Sequence, residues 1–201
     1  MDVTFDKLLP FSSIEVFSEP FQYFVSTEAF SNSISLMILE WLETDAPWKL
    51  VETDFYEQYE FNFLDAGLPS QLTFLQERSS FDDMRARMET VFQTALSERI
   101  DFNAHKLIPG QRIRLHNDFI PGQETHRLLI QLNRGWNDEQ GGLLIFFNSQ
   151  EPADIHKVFR PLHNSAVGFA ISPDSNHAVS TIYSGERFTL VYSFYEKSGH
   201  V

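Results

Sequence analysis

The second half of the chain carries two histidines, an aspartate and an arginine of the types, and at the spacings, that build a metal site with an anion anchor beside it. His116 and Asp118 stand two apart in QRIRLHND, where Ile113 and Leu115 alternate with Arg114 and His116. An extended backbone, with its period of two, puts His116 and Asp118 on one side, where both can address one centre. His177 follows the turn-like SPDSN and opens a further extended segment, which makes it the candidate third ligand. Two imidazoles and one carboxylate on one face of a divalent cation leave its other positions open. Arg187 opens GERFTLVY ten residues later. A guanidinium there is a fixed cation that can grip a carboxylate through two parallel hydrogen bonds.

These residues must be positioned by the elements around them. After Arg99 the chain runs in eight short apolar segments: DFNAHKLI, QRIRLHND, HRLLIQLN, GGLLIFFN, IHKVFRP, SAVGFAI, HAVSTI and RFTLVYSFY. Turn residues separate them, from Pro109-Gly110 and Pro121-Gly122 to Ser172-Pro173-Asp174 and Ser184-Gly185. Eight short strands with no helix between them predict an antiparallel double sheet, a jelly roll. The end of strand two and the start of strand seven can then lie together, bringing His177 to His116 and Asp118. Trp136 and the Gly141-Gly142 pair read as a turn between strands three and four. Arg127 and Arg114 read as salt-bridging residues near the site. His105, His126, His156, His163 and His200 read as surface or core residues.

The first hundred residues follow a different period. Thr27 precedes Phe30, Ile34, Met37, Ile38 and Trp41, three or four apart, which predicts an N-capped amphipathic helix. Ser80, with Asp82 and Asp83 after it and the stripe Met84, Met88, Val91, Phe92 and Ala95, predicts a second. Phe55, Tyr59, Phe61 and Phe63 share odd positions and predict a strand between them. The expected architecture is mainly β with supporting α: a single domain, 1–201, in which 101–196 form a jelly-roll, cupin-like catalytic core. Residues 1–100 are expected to be mostly helical support, with Trp48, Phe55, Tyr56 and Tyr59 serving as core or as a substrate lid.

Four segments carry a resemblance to a known family. PGQRIRLHND, LNRGWNDEQGGLLIFF, NHAV and GERFTLVYSFY, in that order over about residues 103 to 195, resemble the prolyl-hydroxylase branch of the Fe(II)/2-oxoglutarate-dependent dioxygenases. The resemblance implies a double-stranded β-helix fold in which His116, Asp118 and His177 bind iron and form the catalytic centre. It implies that Arg187 binds 2-oxoglutarate, assisted by Thr189 on the same strand face and by Gln131. Gln131 stands where prolyl hydroxylases commonly have a Tyr before Leu-Asn, and Leu107 stands where an aromatic often precedes the approach segment. The implied cofactors are Fe(II), 2-oxoglutarate and O₂, with ascorbate as an accessory reductant. The implied reaction hydroxylates an amino-acid residue of a peptide or protein while 2-oxoglutarate becomes succinate and CO₂. Asp118 favours hydroxylation over halogenation, since halogenating relatives carry Gly or Ala at that position.

Composition bounds the remaining classes. The chain has 201 residues, no cysteine and a net charge of −13, with 6 basic against 18 acidic side chains in residues 1–100 and 9 against 10 thereafter. Zero cysteines exclude disulfides, thiolate ligands and cysteine nucleophiles, and fit a reducing cytoplasm. The acidity argues against nucleic acid, whose phosphates need a Lys/Arg footprint, and is compatible with a cationic peptide or amino-acid substrate. The opening MDVTFDKLLPF lacks an export-signal pattern, and no apolar run approaches the ~20 residues that span a bilayer, so no membrane association is expected. Three other readings stay open from the residues alone: a hydroxylase of a free amino acid or small metabolite, a hydrolase in which the same ligands hold Zn²⁺, and a non-catalytic jelly-roll binding module.

Overall fold

The computed structural model describes residues 13–53 and 56–197. The chain runs β1 (Ile14–Phe17), β2 (Tyr23–Ser26), α1 (Asn32–Thr44), β3 (Lys49–Glu52), β4 (Glu57–Asn62), α2 (Arg78–Phe92), β5 (Leu96–Leu107), β6 (Ile113–His116), β7 (His126–Gln131), β8 (Leu144–Phe147), β9 (Ile155–Phe159), β10 (Ala166–Ala170), β11 (His177–Val179) and β12 (Arg187–Glu196). All eight segments expected after residue 100 are strands, and they divide four and four. β10, β7, β12 and β5 are neighbours in one sheet, and β6, β11, β8 and β9 form the other. Every pairing is antiparallel. This is the double-stranded β-helix that the turn spacing predicted.

The N-terminal residues do more than buttress. β4 and β3 extend the first sheet beyond β5, and β2 and β1 extend it beyond β10, giving eight strands in the order β1-β2-β10-β7-β12-β5-β4-β3. Three of these four strands are only four residues long. So short a run leaves almost no alternation to read, and its place is set by the edge it pairs with.

Both helices are present, with shifted starts. α1 begins after Ser31 rather than at Thr27. Ala29 N–H donates to the Asn164 carbonyl (2.8 Å), and the Asn164 side chain both accepts from Phe30 N–H (3.0 Å) and donates to its carbonyl (2.8 Å). The backbone groups that would have opened the helix are thus used across the fold. α2 begins at Arg78, and Ser80, rather than capping it, turns its hydroxyl to the Phe74 carbonyl at 2.6 Å. Left-handed Gln93 (φ 53°) ends the helix, so Ala95 falls beyond the stripe.

Period-two alternation in the central strands separates two cores. Phe102 and Ala104 of β5, Leu128 and Ile130 of β7, and Phe188, Leu190, Tyr192 and Phe194 of β12 face the helices, where they meet Leu39, Trp41, Met84 and Met88. Phe61 and Phe63 join the same layer, with the Phe63 ring stacked on Phe102 at 4.3 Å. Each such aromatic removed from water contributes about 1.5–3 kcal/mol. The odd-numbered residues of β5, β7 and β12 face the other way, into the space between the sheets. There Leu107, Leu129 and Val191 pack with Leu144, Phe146 and Val179, and polar residues line the rest. The site lies in that space.

Candidate active site

β6 and β11 are adjacent, and His116 is paired in register with His177. Strand alternation carries the chain as far as His116, where β6 ends. Asp118 then enters the left-handed region with φ 59°, a conformation uncommon for any residue but glycine. The turn, rather than a continued strand, swings the carboxylate back onto the imidazoles. Cross-ties hold it there: Asn117 Nδ2 donates to the Pro173 carbonyl (2.9 Å), and Ser175 Oγ donates to the Asn117 carbonyl (2.8 Å). The loop bearing Asp118 is thereby fixed to the turn that leads into His177.

The three ligand atoms lie within 4.8 Å of one another. Asp118 Oδ1 is 3.3 Å from His116 Nε2, and Oδ2 is 3.1 Å from His177 Nε2. His116 Nδ1 lies 2.8 Å from the Arg114 carbonyl and His177 Nδ1 lies 2.7 Å from the Ser175 carbonyl. A carbonyl only accepts, so each Nδ1 carries the proton and each Nε2 keeps its lone pair for a cation. Burial lowers the His177 pKa, against the opposing pull of Asp118, and favours this neutral, metal-binding form.

Arg127, half-buried at the start of β7, clamps the carboxylate. Its Nη1 donates to Asp118 Oδ2 and its Nη2 to Glu124 Oε1. Burial would raise the Asp118 pKa, but the Arg127 guanidinium outweighs it and holds the carboxyl far below its usual range. Asp118 is therefore a charged, oriented candidate ligand. Salt bridging was the expected role of Arg127; that it holds a candidate metal ligand is what the structure adds.

The candidate anion anchor is a row of three side chains. Arg187 Nη1 donates to Thr189 Oγ1 (2.9 Å), whose hydroxyl donates to Gln131 Oε1 (2.9 Å). Thr189 and Gln131 are register partners on β12 and β7, so the sheet sets the row. Arg187 is 3% exposed, and its Nε and Nη2 have no hydrogen-bond partner among the described residues. Burial pushes its pKa down to about 10. A buried guanidinium with unmet donors is costly unless an anion arrives to meet them. Gly142 makes room for it: at φ 64°, a Cβ there would come 3.0 Å from Arg187 Cδ and 2.4 Å from Ile182 Cδ1. Trp136 Nε1 donates to the Gly141 carbonyl (2.9 Å), which ties down the turn between β7 and β8, as expected.

A cavity of about 480 Å³ joins the two halves, with His116, Asp118 and His177 on one side and Arg187 and Thr189 on the other. Ile120, 62% exposed, lies at its mouth. Sequence reasoning weighed Tyr56 as core or lid and missed the rest of this part of the wall. Tyr56, Gln58 and Glu60 come from β4 and the residue before it, and His105 comes from β5. The signal was present in the even positions of β4, opposite the Phe61 face, but only docking beside β5 points them inward. Tyr56 also forms an isolated bridge to Ile113, tying this wall to β6. His126 is buried against Phe92, His163 bonds Ser35 and His156 bonds Asn148, all apart from the triad. Trp48 packs on Phe61 and Phe188 as core. Phe55 and His200 lie outside the described residues.

Residues 102–195 match the 2OG-Fe(II) oxygenase superfamily. The match spans the second half of β5, all of β6 to β11 and nearly all of β12, the strands around the triad and the Arg187 row. Among curated proteins the chain is similar to the prolyl 3-hydroxylase OGFOD1 of Mus musculus, 28% identical over 158 residues. That alignment covers 72% of this chain and 28% of the relative. It is also similar to the Xenopus laevis OGFOD1 protein, 24% identical over 91% of this chain and 36% of the relative. The chain thus spans about a third of these relatives' length. Its fold is shared with a Pseudomonas putida prolyl-4-hydroxylase (TM-score 0.69, 16% identity, 87% of this chain and 92% of that one). It is shared too with a Trichoplax adhaerens prolyl hydroxylase, solved with a hypoxia-inducible-factor peptide fragment (TM-score 0.68, 14% identity, 87% and 83% covered). The 2OG-Fe(II) oxygenase cofactors are Fe(II), 2-oxoglutarate and O₂. The donor set fits them: two neutral Nε2 atoms and one carboxylate suit Fe(II), and the unmet Arg187 donors suit a carboxylate of 2-oxoglutarate.

Proposed function

We propose that the protein is an Fe(II)- and 2-oxoglutarate-dependent dioxygenase that hydroxylates an amino-acid residue of a peptide or protein. One observation carries this reading: a His-Asp-His cluster shares a cavity with a buried arginine whose donors lack an anion. A hydrolase needs the cluster but has no use for the arginine, and a binding module needs neither. The likeness to prolyl 3-hydroxylases, and to a fold relative solved with a peptide, supports a peptide or protein over a free amino acid.

When bound, Fe(II) with 2-oxoglutarate and O₂ supplies the oxidising power to place one oxygen atom in a C–H bond, with succinate and CO₂ as coproducts. The chain's residues do the rest. His116, Asp118 and His177 would hold the metal, and Arg127 keeps Asp118 charged and aimed. Arg187 and Thr189, backed by Gln131, anchor the far carboxylate of 2-oxoglutarate. The apolar wall of Leu129, Leu144, Val179 and Val191 limits water around the reacting centre. Among the described residues no helix is long and apolar enough to cross a membrane. The absence of cysteine supports a reducing compartment such as the cytoplasm.

The test is spectroscopic. Anaerobic Fe(II) and 2-oxoglutarate should give a visible charge-transfer band in wild type and none in His177→Ala. Admission of air should yield succinate only in the wild type. Folded wild-type protein with neither band nor succinate would end the dioxygenase reading.

A further inference from the structure

β4 lies outside the segment that matches the superfamily, yet it supplies cavity wall whose chemistry neither the metal nor 2-oxoglutarate uses. Building on the dioxygenase reading above, we propose that Glu60, with Gln58, is the subsite for a cationic side chain of the substrate, a guanidinium or an ammonium group.

The argument begins with which charges in the cavity are already met. Its lining holds four carboxylates, from Glu60, Asp101, Asp118 and Glu124. Asp118 and Glu124 share Arg127, and Asp101 is bonded by Arg99 and by the Tyr195 hydroxyl. Arg187 bonds Thr189 and forms no salt bridge with any of the four among the described residues. Glu60 is left with His105, whose Nε2 is 3.9 Å from its Oε2. Burial, with Arg127 and Arg187 nearby, pushes the His105 pKa down to about 3, so that ring offers no charge at neutral pH. Among the described residues, Glu60 is the one cavity carboxylate that no cation neutralises. Its side chain is 30% exposed, open enough to meet a ligand and enclosed enough for the contact to count.

Gln58 is the second, independent observation. It is 2% exposed and lines the cavity. Its Nε2 donates to Glu60 Oε2 at 2.8 Å, and because a carboxylate only accepts, the amide cannot be turned the other way. Its Oε1 is therefore buried with no donor among the described residues. A buried acceptor left unmet costs free energy that a donor-bearing ligand recovers. Glu60 and Gln58 thus present acceptors and no free charge-matched partner. Guanidinium, with five N–H donors, or ammonium, with three, fits such a pair, and a proline ring does not.

The register sets where the cation would sit. Glu60 is paired with His105, His105 with Thr189, and Thr189 with Gln131. Glu60 is therefore two strand spacings, roughly 10 Å, from the anchor row, on the same face. A basic side chain held at Glu60 lies beside the cosubstrate without displacing it.

Binding of small probes to wild-type protein carrying Fe(II) and 2-oxoglutarate, kept anaerobic, tests this by calorimetry. The probes are the N-acetyl amides of arginine, lysine, citrulline and proline. The expected result is binding of the arginine or lysine amide about tenfold or more tighter than the citrulline and proline amides. Which of the two basic amides binds tighter tells guanidinium from ammonium recognition. Glu60→Gln should erase the difference between arginine and citrulline, and Gln58→Leu should reduce it. In Glu60→Lys the order should reverse, with N-acetyl-glutamate amide now bound more tightly than the arginine amide. Equal binding of all four probes to wild type, no binding of any, or a preference that survives Glu60→Gln overturns the subsite. The charge-transfer band of the same samples reports separately on iron and 2-oxoglutarate. A band without cation preference sinks only the subsite, whereas no band sinks the dioxygenase reading.

Discussion

The cavity has two authors within one chain. Residues 102–195 supply the triad, its Arg127 clamp and the Arg187 row, all from strands that close the double sheet. The residues before them supply the helical layer beneath the large sheet and, through β4, the wall with Gln58 and Glu60. In the first region Asp118 and Glu124 share Arg127 while Arg187 keeps unmet donors; in the second a carboxylate lacks a cation and an amide oxygen lacks a donor. The difference teaches that one scaffold separates chemistry from selection. The triad sits at the β6–β11 edge of the smaller sheet, and the wall of Gln58 and Glu60 sits on a strand added at the flank of the larger one.

That division can be broken, beginning with the largest effect. Phe63→Ala removes a fully buried ring that stacks on Phe102 and touches Trp41. It should cost about 3–5 kcal/mol of stability by chemical denaturation, while the folded fraction keeps its affinity for Fe(II) and 2-oxoglutarate. A fall in those affinities would show that the helical layer also tunes the site. Arg187→Met should weaken 2-oxoglutarate binding, titrated through the charge-transfer band, by roughly 2–5 kcal/mol. Its stability should be unchanged or higher, because a buried guanidinium with unmet donors is removed. A loss of stability like that of Phe63→Ala would recast Arg187 as a structural residue. Arg127→Gln should lower Fe(II) affinity about 10- to 100-fold in a metal-competition assay, the usual scale for a residue that orients a ligand. Unchanged or tighter iron binding would mean that Arg127 competes for Asp118 instead of positioning it.

How much could be read before folding depended on how local each signal was. β5 to β12 were legible because each strand carries its own alternation and its own turn residues, as in Ile113 to His116 or Arg187 to Phe194. His116, Asp118, His177 and Arg187 were legible because their spacing along those strands already implied convergence. β1, β2 and β3 were not, being four-residue strands that acquire their conformation from the edges they join. The start of α1 was misplaced because Asn164, far along the chain, takes the backbone groups of Ala29 and Phe30. In β4 the apolar face of Phe61 was visible, but nothing local says where the opposite face looks.

By itself, then, the sequence determined the double-sheet core, a candidate triad of His116, Asp118 and His177 with Arg187 as candidate anchor, and the absence of any thiolate alternative. Those follow from period-two patterning and residue chemistry, which act over a few positions. Tertiary structure decided the rest. It chose the left-handed turn that brings Asp118 onto His177, the Arg127 clamp, the Arg187–Thr189–Gln131 row and the inward face of Gln58 and Glu60. Each depends on which strand lies beside which, and strand neighbours are fixed by burying two faces of one sheet at once, a condition no local stretch of chain can state.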